Sequence, residues 1–335
     1  MDVGSIGYET HSGIGHLMRD FYRNGIVTRV MPVAHTKYAT QTGWYDMRDR
    51  FTYAQADSFL SGLSALLLFE TGFKWDIVAA AKRRGVRIIL IPNYEWTLDP
   101  LPVTPDLVIC GSRLDTDYFA GQYNTVDIPI PVDTNTVVWR MRERARVFVH
   151  NAGHGQLHFA KGTPQVLEAM QYVNAPIRLI VRGQPDEPRI AELLASPCDD
   201  SRIERVAREV TDRELWEEGD VFINAESYNG MSLMLQEAFA AGMMVMTTDR
   251  YPTNTWLPTE PLIAPSTYRR TKMARELDVA VVTPQAIAEK IDAWYDRDIS
   301  TFSYRGRDWS AAHSWTALKS RYVQAIEKTV RQQPI

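Results

Sequence analysis

One continuous stretch, residues 227–249, constrains the fold more than any other part of this chain. The short apolar segment 220–224 precedes this stretch, and a second one, 243–247, lies near its end. Both have the composition of parallel strands buried on both faces. The segment between them, 231–241, has apolar residues at helical spacing and is followed by Gly242, a typical left-handed helix cap. The stretch therefore predicts a strand–helix–strand unit of a parallel α/β sheet.

In such a unit the ligand crevice forms at the carboxyl ends of the strands, where the loop 226–230 lies. We expect the first helical turn, from Met231 to Leu233, to point free backbone amides into this crevice, where they would bind a phosphate. Glu237 follows Asn229 by eight residues, so its carboxylate is expected to face the same crevice and to bind a vicinal diol such as a ribose. A solvated position on the helix surface is the alternative for this glutamate.

Composition limits the class of protein. The 335 residues are 45% apolar and 23% charged, enough to bury two cores of ordinary size. The formal net charge of −4 favours neither nucleic acid nor an anionic membrane as a partner. The two cysteines, Cys110 and Cys198, suggest neither a disulfide framework nor a cysteine metal site. With no signal pattern and no apolar run of about 18 residues, we expect a cytoplasmic protein without a transmembrane segment.

Apolar segments alternate with helical patterns up to about residue 128, and the alternation resumes at the apolar segment 146–150. Pro129 and Pro131 interrupt the pattern, so we place a domain boundary here, with domains at 1–133 and 134–315. The proline-rich region after Asp249 predicts little regular structure before a strand at 279–282 and a helix at 284–295. A last amphipathic helix is predicted at 315–332.

Two segments precede predicted helices and carry glycine. Lys161 and Gly162 follow the strand at 146–150, where a lysine would supply positive charge to an anion at a helix N-terminus. His150, His154 and His158 lie in the same segment, but in a loop their spacing fixes no metal geometry. The other segment, 12–15, contains two glycines that allow close approach of a ligand, with a simple tight turn as the alternative.

Polar residues also end a predicted strand of the first domain. Asn93 and Glu95 follow that strand, so their side chains are expected at the carboxyl edge of the sheet. There Glu95 would orient a hydroxyl group or stabilise positive charge on a sugar. A structural role beside Trp96 is the alternative.

Together these segments resemble the retaining glycosyltransferases of family 4, which have the GT-B fold. The donor-site signature of that family is matched by Gly230, Leu233, Glu237, Ala238, Ala240 and Gly242. Its phosphate-binding segment is matched by Gly155, Lys161 and Gly162, and its N-terminal glycine loop by Ser12, Gly13, Ile14 and Gly15. The matches occur in the family's order along nearly the whole chain.

The resemblance implies two Rossmann-like domains that face each other across a cleft, with a C-terminal helix, 316–335, that crosses back to the N-terminal domain. The domain 1–133 would face the acceptor, and 134–315 would bind the donor. Catalytic roles fall on Lys161, Glu237 and Asn229. Donor contacts fall on Gly13, Ile14, Gly15, Gly155, Gln156, Gly230, Met231, Ser232 and Leu233, and acceptor-side contacts on His16, Asn93 and Glu95.

Three positions depart from the family pattern. Asn229 stands where the first glutamate contacts the transferred sugar, and Ser232 stands where a glycine is expected. Gln156 replaces an arginine that helps to neutralise the diphosphate, which leaves more of that work to Lys161, with His154 and Arg182 as further candidates.

The implied reaction moves a hexose such as glucose from a nucleoside diphosphate sugar, with a UDP-sugar favoured, to a hydroxyl acceptor. The configuration at the anomeric carbon is retained. Lys161 and the helix amides would stabilise the departing diphosphate, and a diphosphate oxygen would take the acceptor's proton. On this interpretation the protein needs no metal and no cofactor besides the donor.

Three alternatives stay open. The short first strand is similar to viral members of the superfamily, some of which glycosylate hydroxymethylated DNA bases in a host cytoplasm; basic clusters at 82–84, 140–144 and 268–272 would then contact phosphates. A non-catalytic nucleotide-sugar-binding protein is favoured by Gln156 and Asn229, but disfavoured by the retention of Lys161 and Glu237. A sugar-nucleotide epimerase would need acid–base carboxylates in the cleft.

Overall fold

The computed structural model describes residues 1–7, 13–32, 53–70, 74–153, 160–183, 188–196, 198–208, 210–211 and 213–332. The chain forms two compact units. The first comprises Met1–Pro131, Met273–Arg275 and Trp315–Ile335, and the second comprises Val132–Lys272 and Glu276–Ser314. That the first unit serves the acceptor and the second the donor stays a prediction.

The first unit contains a six-stranded parallel sheet in the order β2-β1-β3-β4-β5-β6. Its strands are β1 (Val3–Gly7), β2 (Arg29–Pro32), β3 (Ala65–Glu70), β4 (Arg87–Pro92), β5 (Leu107–Cys110) and β6 (Thr125–Asp127). The helices between them are α1 (Gly13–Arg23), α2 (Tyr53–Leu60), α3 (Trp75–Arg83) and α4 (Arg113–Phe119). The central strands are continuous apolar runs because both faces of the sheet are covered.

Alternate residues of β3 show how both faces are filled. Leu66 and Leu68 pack into one core with Phe59 of α2 and Ile77 of α3. Phe69 points to the other face, where its ring meets that of Phe21 of α1 edge-on at 5.0 Å. The apolar run of β3 ends at Glu70, which places a carboxylate at the carboxyl edge of the sheet.

The second unit contains a five-stranded parallel sheet in the order β11-β10-β7-β8-β9. Its strands are β7 (Val147–Gly153), β8 (Arg178–Gly183), β9 (Ile203–Val206), β10 (Val221–Asn224) and β11 (Met244–Thr247). Its helices are α5 (Thr163–Ala169), α6 (Pro188–Ala195), α7 (Glu214–Glu217), α8 (Leu233–Ala240), α9 (Pro284–Trp294) and α10 (Ser300–Ala312). Phe148 faces the core that includes α5 and α9, whereas its neighbour Val149 faces the core that includes α7 and α8.

The prediction of little regular structure between Asp249 and the strand at 279–282 is wrong. An antiparallel hairpin, β12 (Thr267–Lys272) and β13 (Glu276–Val281), occupies much of this region. All six residues of β12 are exposed, so the strand lacks the apolar pattern by which buried strands are recognised.

Helix α10 was also not predicted, because small residues rather than an apolar stripe face its neighbour. Ser303, Gly306 and Ser310 are among its buried residues. A Cβ atom at Gly306 would lie 2.1 Å from the carbonyl oxygen of Phe239 in α8, so the close helix contact requires glycine.

The C-terminal helix α11 (Trp315–Arg331) belongs to the first unit. Its buried Trp315 and Tyr322 meet the ring of Phe21 edge-on at 4.8 and 5.0 Å. The Tyr322 hydroxyl donates to the carbonyl oxygens of Ile128 and Pro129, at 3.2 and 3.1 Å. The amphipathic helix predicted at 315–332 is therefore present. Within the described ranges no helix is long and apolar enough to span a membrane.

Candidate functional site

A buried ion pair closes the loop between β10 and α8, at the carboxyl edge of the second unit's sheet. Glu226 and Arg250 are 3% and 5% exposed, and Nη2 of Arg250 lies 2.6 Å from Oε2 of Glu226. Arg250 also donates to the carbonyl oxygens of Glu226 and Asn229, each at 3.1 Å. A guanidinium carries five donors in a fixed plane. The side chain of Arg250, which follows β11, can therefore bind both the Glu226 side chain and backbone carbonyl oxygens of the loop.

Asn229 bonds to both sides of this loop. Its Nδ2 donates to Oε1 of Glu226 at 2.9 Å, and its Oδ1 accepts from the amides of Met231 and Ser232 at 3.1 and 2.8 Å. The prediction that these two amides are free is therefore wrong, because the side chain of Asn229 occupies both. A carboxamide can donate and accept, whereas a second carboxylate next to Glu226 would add like-charge repulsion. The departure from the family pattern at Asn229 therefore fits the presence of Glu226.

Ser232 has a backbone conformation that glycine adopts more readily than other residues. Its φ and ψ are 47° and 52°, in the left-handed region, and its hydroxyl donates to Oε2 of Glu226 at 2.6 Å. Helix α8 therefore begins at Leu233, two residues later than predicted. Gly230, Met231 and Ser232 are buried in the preceding loop.

Lys161, which precedes helix α5, lies close to two glutamates. Its ammonium contacts Sδ of Met234 at 3.0 Å, and burial lowers the pKa of Lys161 to about 8 although the charges of Glu226 and Glu237 oppose this effect. A Cβ atom at Gly153, where φ is 74°, would lie 2.3 Å from the Lys161 Nζ. The structure thus brings Lys161 and Glu237 into one neighbourhood, and glycine at the end of β7 leaves room for the ammonium.

His150 has a structural role. Its Nδ1 donates to the carbonyl oxygen of Ile223 at 2.9 Å, and its Nε2 accepts from the Thr163 hydroxyl at 2.7 Å. Burial lowers its pKa to about 4, so the ring is neutral with both nitrogens engaged. Gly155, Gln156, His154 and His158 lie outside the described residues. Among the residues that are described, no three His, Cys, Asp or Glu side chains are grouped as metal ligands.

Arg182, a candidate to replace the arginine of the family pattern, makes contacts with residues in and next to α7. Its Nη1 donates to the carbonyl oxygen of Leu215 at 2.7 Å, and its Nη2 lies 3.5 Å from Glu218. It therefore joins β8 to the α7 region.

In the first unit, Gly13, Ile14, Gly15 and His16 form the first turn of α1. Ile14 and Gly15 are buried. The two glycines are therefore helical and not part of a loop or tight turn that precedes the helix. Ser12 and the residues that connect it to β1 lie outside the described ranges.

Asn93 and Glu95 follow β4 as predicted, and both are buried. The Asn93 amide donates to Oγ1 of Thr97 at 2.9 Å, and the Thr97 hydroxyl donates to the carbonyl oxygen of Glu70 at the end of β3. Glu70 has a φ of 60°, and its Oε1 lies 3.4 Å from Nδ2 of Asn93. Burial raises the pKa of Glu70 to about 6. Glu70 was not among the predicted site residues, although a lone charge at the end of an apolar run was a usable signal.

A second residue that the sequence did not reveal is Arg275. It is 8% exposed, it donates to the carbonyl oxygens of Tyr94 and Thr97, and its guanidinium lies over the Tyr94 and Tyr118 rings at 4.8 and 4.3 Å. Burial raises the pKa of nearby Asp115 to about 7, while the Ser112 hydroxyl and the charge of Arg275 oppose this effect. Arg275 thus fixes the backbone that follows β4.

The chain has two Rossmann-like units, each built on a parallel sheet, and solved structures with the GT-B fold match it. The GT-B fold that the resemblance implied is therefore confirmed. No family model matches the sequence, and no curated protein gives a significant match. Solved structures do match, but their sequence identity to this chain is low, so the similarity establishes the fold alone.

Several of those structures cover nearly the whole chain, among them the following three. Sucrose-phosphate synthase from Thermosynechococcus elongatus matches with a TM-score of 0.66 and 12% identity, over 98% of this chain and 99% of that one. Anabaena HepE in complex with UDP and glucose matches with a TM-score of 0.67 and 10% identity, over 98% and 100%. The catalytic domain of starch synthase IV from Arabidopsis thaliana, bound to ADP and acarbose, matches with a TM-score of 0.60 and 10% identity, over 99% and 100%.

Proposed function

We propose that this protein is a retaining glycosyltransferase that moves a hexose from a nucleoside diphosphate sugar to a hydroxyl acceptor without a metal. The observation that carries the proposal is the Lys161 ammonium in the neighbourhood of Glu237, beside helix α8. UDP-glucose is the best supported donor, since one structure with this fold contains UDP and glucose and another is described in complex with UDP-glucose.

Lys161 has the main electrostatic role in this proposal. As the bond between the anomeric carbon and the diphosphate oxygen breaks, negative charge grows on the diphosphate and the ammonium stabilises it. The amides of Met231 and Ser232 already donate to Asn229, so the lysine carries more of this charge than the sequence suggested. Glu237 would accept hydrogen bonds from the ribose diol. The acceptor's proton would pass to the leaving diphosphate oxygen on the same face of the sugar.

The proposal is tested by incubating the purified protein with UDP-glucose in the presence of EDTA. We expect UDP release, and NMR is expected to show that the first sugar product has the α configuration of the donor. Release that depends on an added divalent metal would contradict metal independence, and a β product would contradict retention. Binding of UDP-, ADP- or GDP-glucose without turnover, in water and with added sugars as hydroxyl acceptors, would favour the non-catalytic alternative.

The DNA alternative gains little from the basic clusters, because most of their cations have protein partners. Lys82 contacts Asp106 at 3.2 Å, and Arg142 is buried with Nη2 2.8 Å from the carbonyl oxygen of Trp216. The other paired members are Arg84 with Asp57, Arg140 with Glu217, Arg144 with the Asp296 carbonyl, and Arg270 with Glu276 and Asp278. These clusters therefore serve mainly the protein's own surface.

A further inference from the structure

Glu70, Asn93 and Thr97 form a small polar group at the carboxyl edge of the first unit's sheet, which we call the edge site. Glu70 ends β3 and Asn93 follows β4, and the two strands are neighbours with Glu70 in register with Pro92. The Thr97 hydroxyl accepts a hydrogen bond from the backbone N–H of Asn93 and donates one to the backbone carbonyl oxygen of Glu70. A single hydroxyl thus fixes both strand ends, and the two side chains are held next to each other.

One buried polar atom of the edge site has no hydrogen-bond partner in the described part of the chain. Asn93 is only 5% exposed, yet its Oδ1 has no hydrogen-bond partner among the residues that the structure describes. Its Nδ2 makes a long contact of 3.4 Å with Oε1 of Glu70. Buried polar atoms of native proteins normally have partners, so an unpaired acceptor at a sheet edge points to a donor supplied from outside.

The backbone of Glu70 is in a strained conformation. A non-glycine residue with a φ of 60° is uncommon, and such strain occurs preferentially where a side chain must be presented to a ligand. Burial also raises the pKa of Glu70 to about 6, as is typical of functional carboxyl groups. The conformation at Glu70 and the unpaired oxygen of Asn93 are independent observations at the same place.

We propose that Glu70 and Asn93 bind hydroxyl groups of the acceptor, and that the acceptor is a neutral, polyhydroxylated molecule such as a sugar. The inference rests on the proposed function, because sugar transfer requires a hydroxyl nucleophile. A carboxylate oxygen and a carboxamide oxygen on adjacent strand ends present two acceptors to a pair of neighbouring hydroxyl groups. Glu70 is then a binding residue that selects the acceptor.

Charge at this edge disfavours a phosphodiester backbone as the ligand. Glu95 and Asp99 follow β4 in the same segment as Asn93, and Glu70 ends the neighbouring strand β3. Arg275 lies nearby, but it donates to the carbonyl oxygens of Tyr94 and Thr97 and lies over aromatic rings. A nucleic acid would therefore bring its phosphates close to several carboxyl groups.

The experiment measures sugar binding and donor binding separately, on the same proteins. Saturation-transfer NMR is recorded with glucose, methyl α-glucoside, maltose and sucrose, and a UDP titration is recorded in parallel. The variants are Glu70→Gln, which keeps the shape of the side chain, and Glu70→Gly, which suits the positive φ and removes the carboxylate. Glu327→Gln on α11, whose side chain is partly exposed in a surface pair with Arg331, is the matched control.

We expect wild type and Glu327→Gln to bind at least one sugar of this panel. Both Glu70 variants should bind it about tenfold more weakly or worse, with UDP affinity unchanged within twofold. The inference is overturned if wild type binds none of the sugars, if a Glu70 variant binds them normally, or if a duplex containing 5-hydroxymethylcytosine binds through Glu70. If wild type does not bind UDP, the proposed function itself is contradicted.

Discussion

Ser232 and Glu70 both adopt left-handed backbone conformations at the carboxyl edge of a parallel sheet, but their surroundings differ. Ser232 lies in a closed network, where its hydroxyl, the Glu226 carboxylate, the Arg250 guanidinium and the Asn229 carboxamide bond to one another. The carbonyl oxygen of Glu70 accepts from Thr97, and its side chain contacts Asn93, whose Oδ1 has no partner among the residues that the structure describes. A left-handed conformation costs about 1–2 kcal/mol at either position. The same backbone conformation thus stabilises a loop at Ser232, whereas at Glu70 it presents a side chain that we assign to ligand binding.

The largest effect is expected from breaking the closed network. Replacing Arg250 with Met leaves the Glu226 carboxylate buried without its partner, which should lower the free energy of unfolding by about 3–5 kcal/mol. Urea denaturation measures the loss. Arg269→Met, at an exposed position of β12, is the control and should change stability by less than about 0.5 kcal/mol. Equal stability of the two variants would show that the ion pair does not hold the loop.

The next effect concerns the charge beside that network. Lys161→Ala removes the ammonium that we assign to the departing diphosphate, and the rate of UDP release from UDP-glucose should fall about 100- to 1,000-fold. Lys319→Ala, on an exposed position of α11, should keep the wild-type rate. Circular dichroism of both variants should remain that of the wild type. A Lys161→Ala enzyme with normal turnover would remove this lysine from the donor site.

The pH dependence sharpens the same point. Burial lowers the pKa of Lys161 to about 8, so the charged form is present below that pH and is lost above it. We therefore expect kcat/KM for UDP-glucose to fall about tenfold per pH unit above pH 8. Lys161→Arg should lack this fall, because a guanidinium stays protonated. A wild-type profile that is flat from pH 7 to 10 would contradict the assignment.

The smallest effect isolates the backbone strain. Ser232→Gly and Ser232→Ala both remove the hydroxyl bond to Glu226, but only glycine suits a φ of 47°. The glycine variant should therefore be more stable than the alanine variant by about 1 kcal/mol, after allowance for the greater freedom of glycine in the unfolded chain. Thermal unfolding of the two proteins makes the comparison. The opposite order would show that Ser232 is not strained.

Local sequence patterns were sufficient for the parts of the molecule that depend on periodicity. The apolar runs of β3, β4, β7 and β10 predicted two parallel sheets, and Lys161 and Glu237 were expected near one edge. Contacts between distant segments were not predictable. Arg250 reaches back 24 residues to Glu226, and Arg275 lies 181 residues from Tyr94. The capping by Asn229 was missed because sequence alone does not show which way a carboxamide turns.

Isothermal titration with UDP is the decisive measurement, because we infer that the neighbourhood of Lys161 binds the diphosphate of a nucleotide. We expect that wild type binds UDP and that folded Lys161→Ala binds it at least about tenfold more weakly, which corresponds to the loss of a charge-assisted hydrogen bond. Equal affinities in the two proteins, or no binding of UDP, ADP or GDP by wild type, would contradict it.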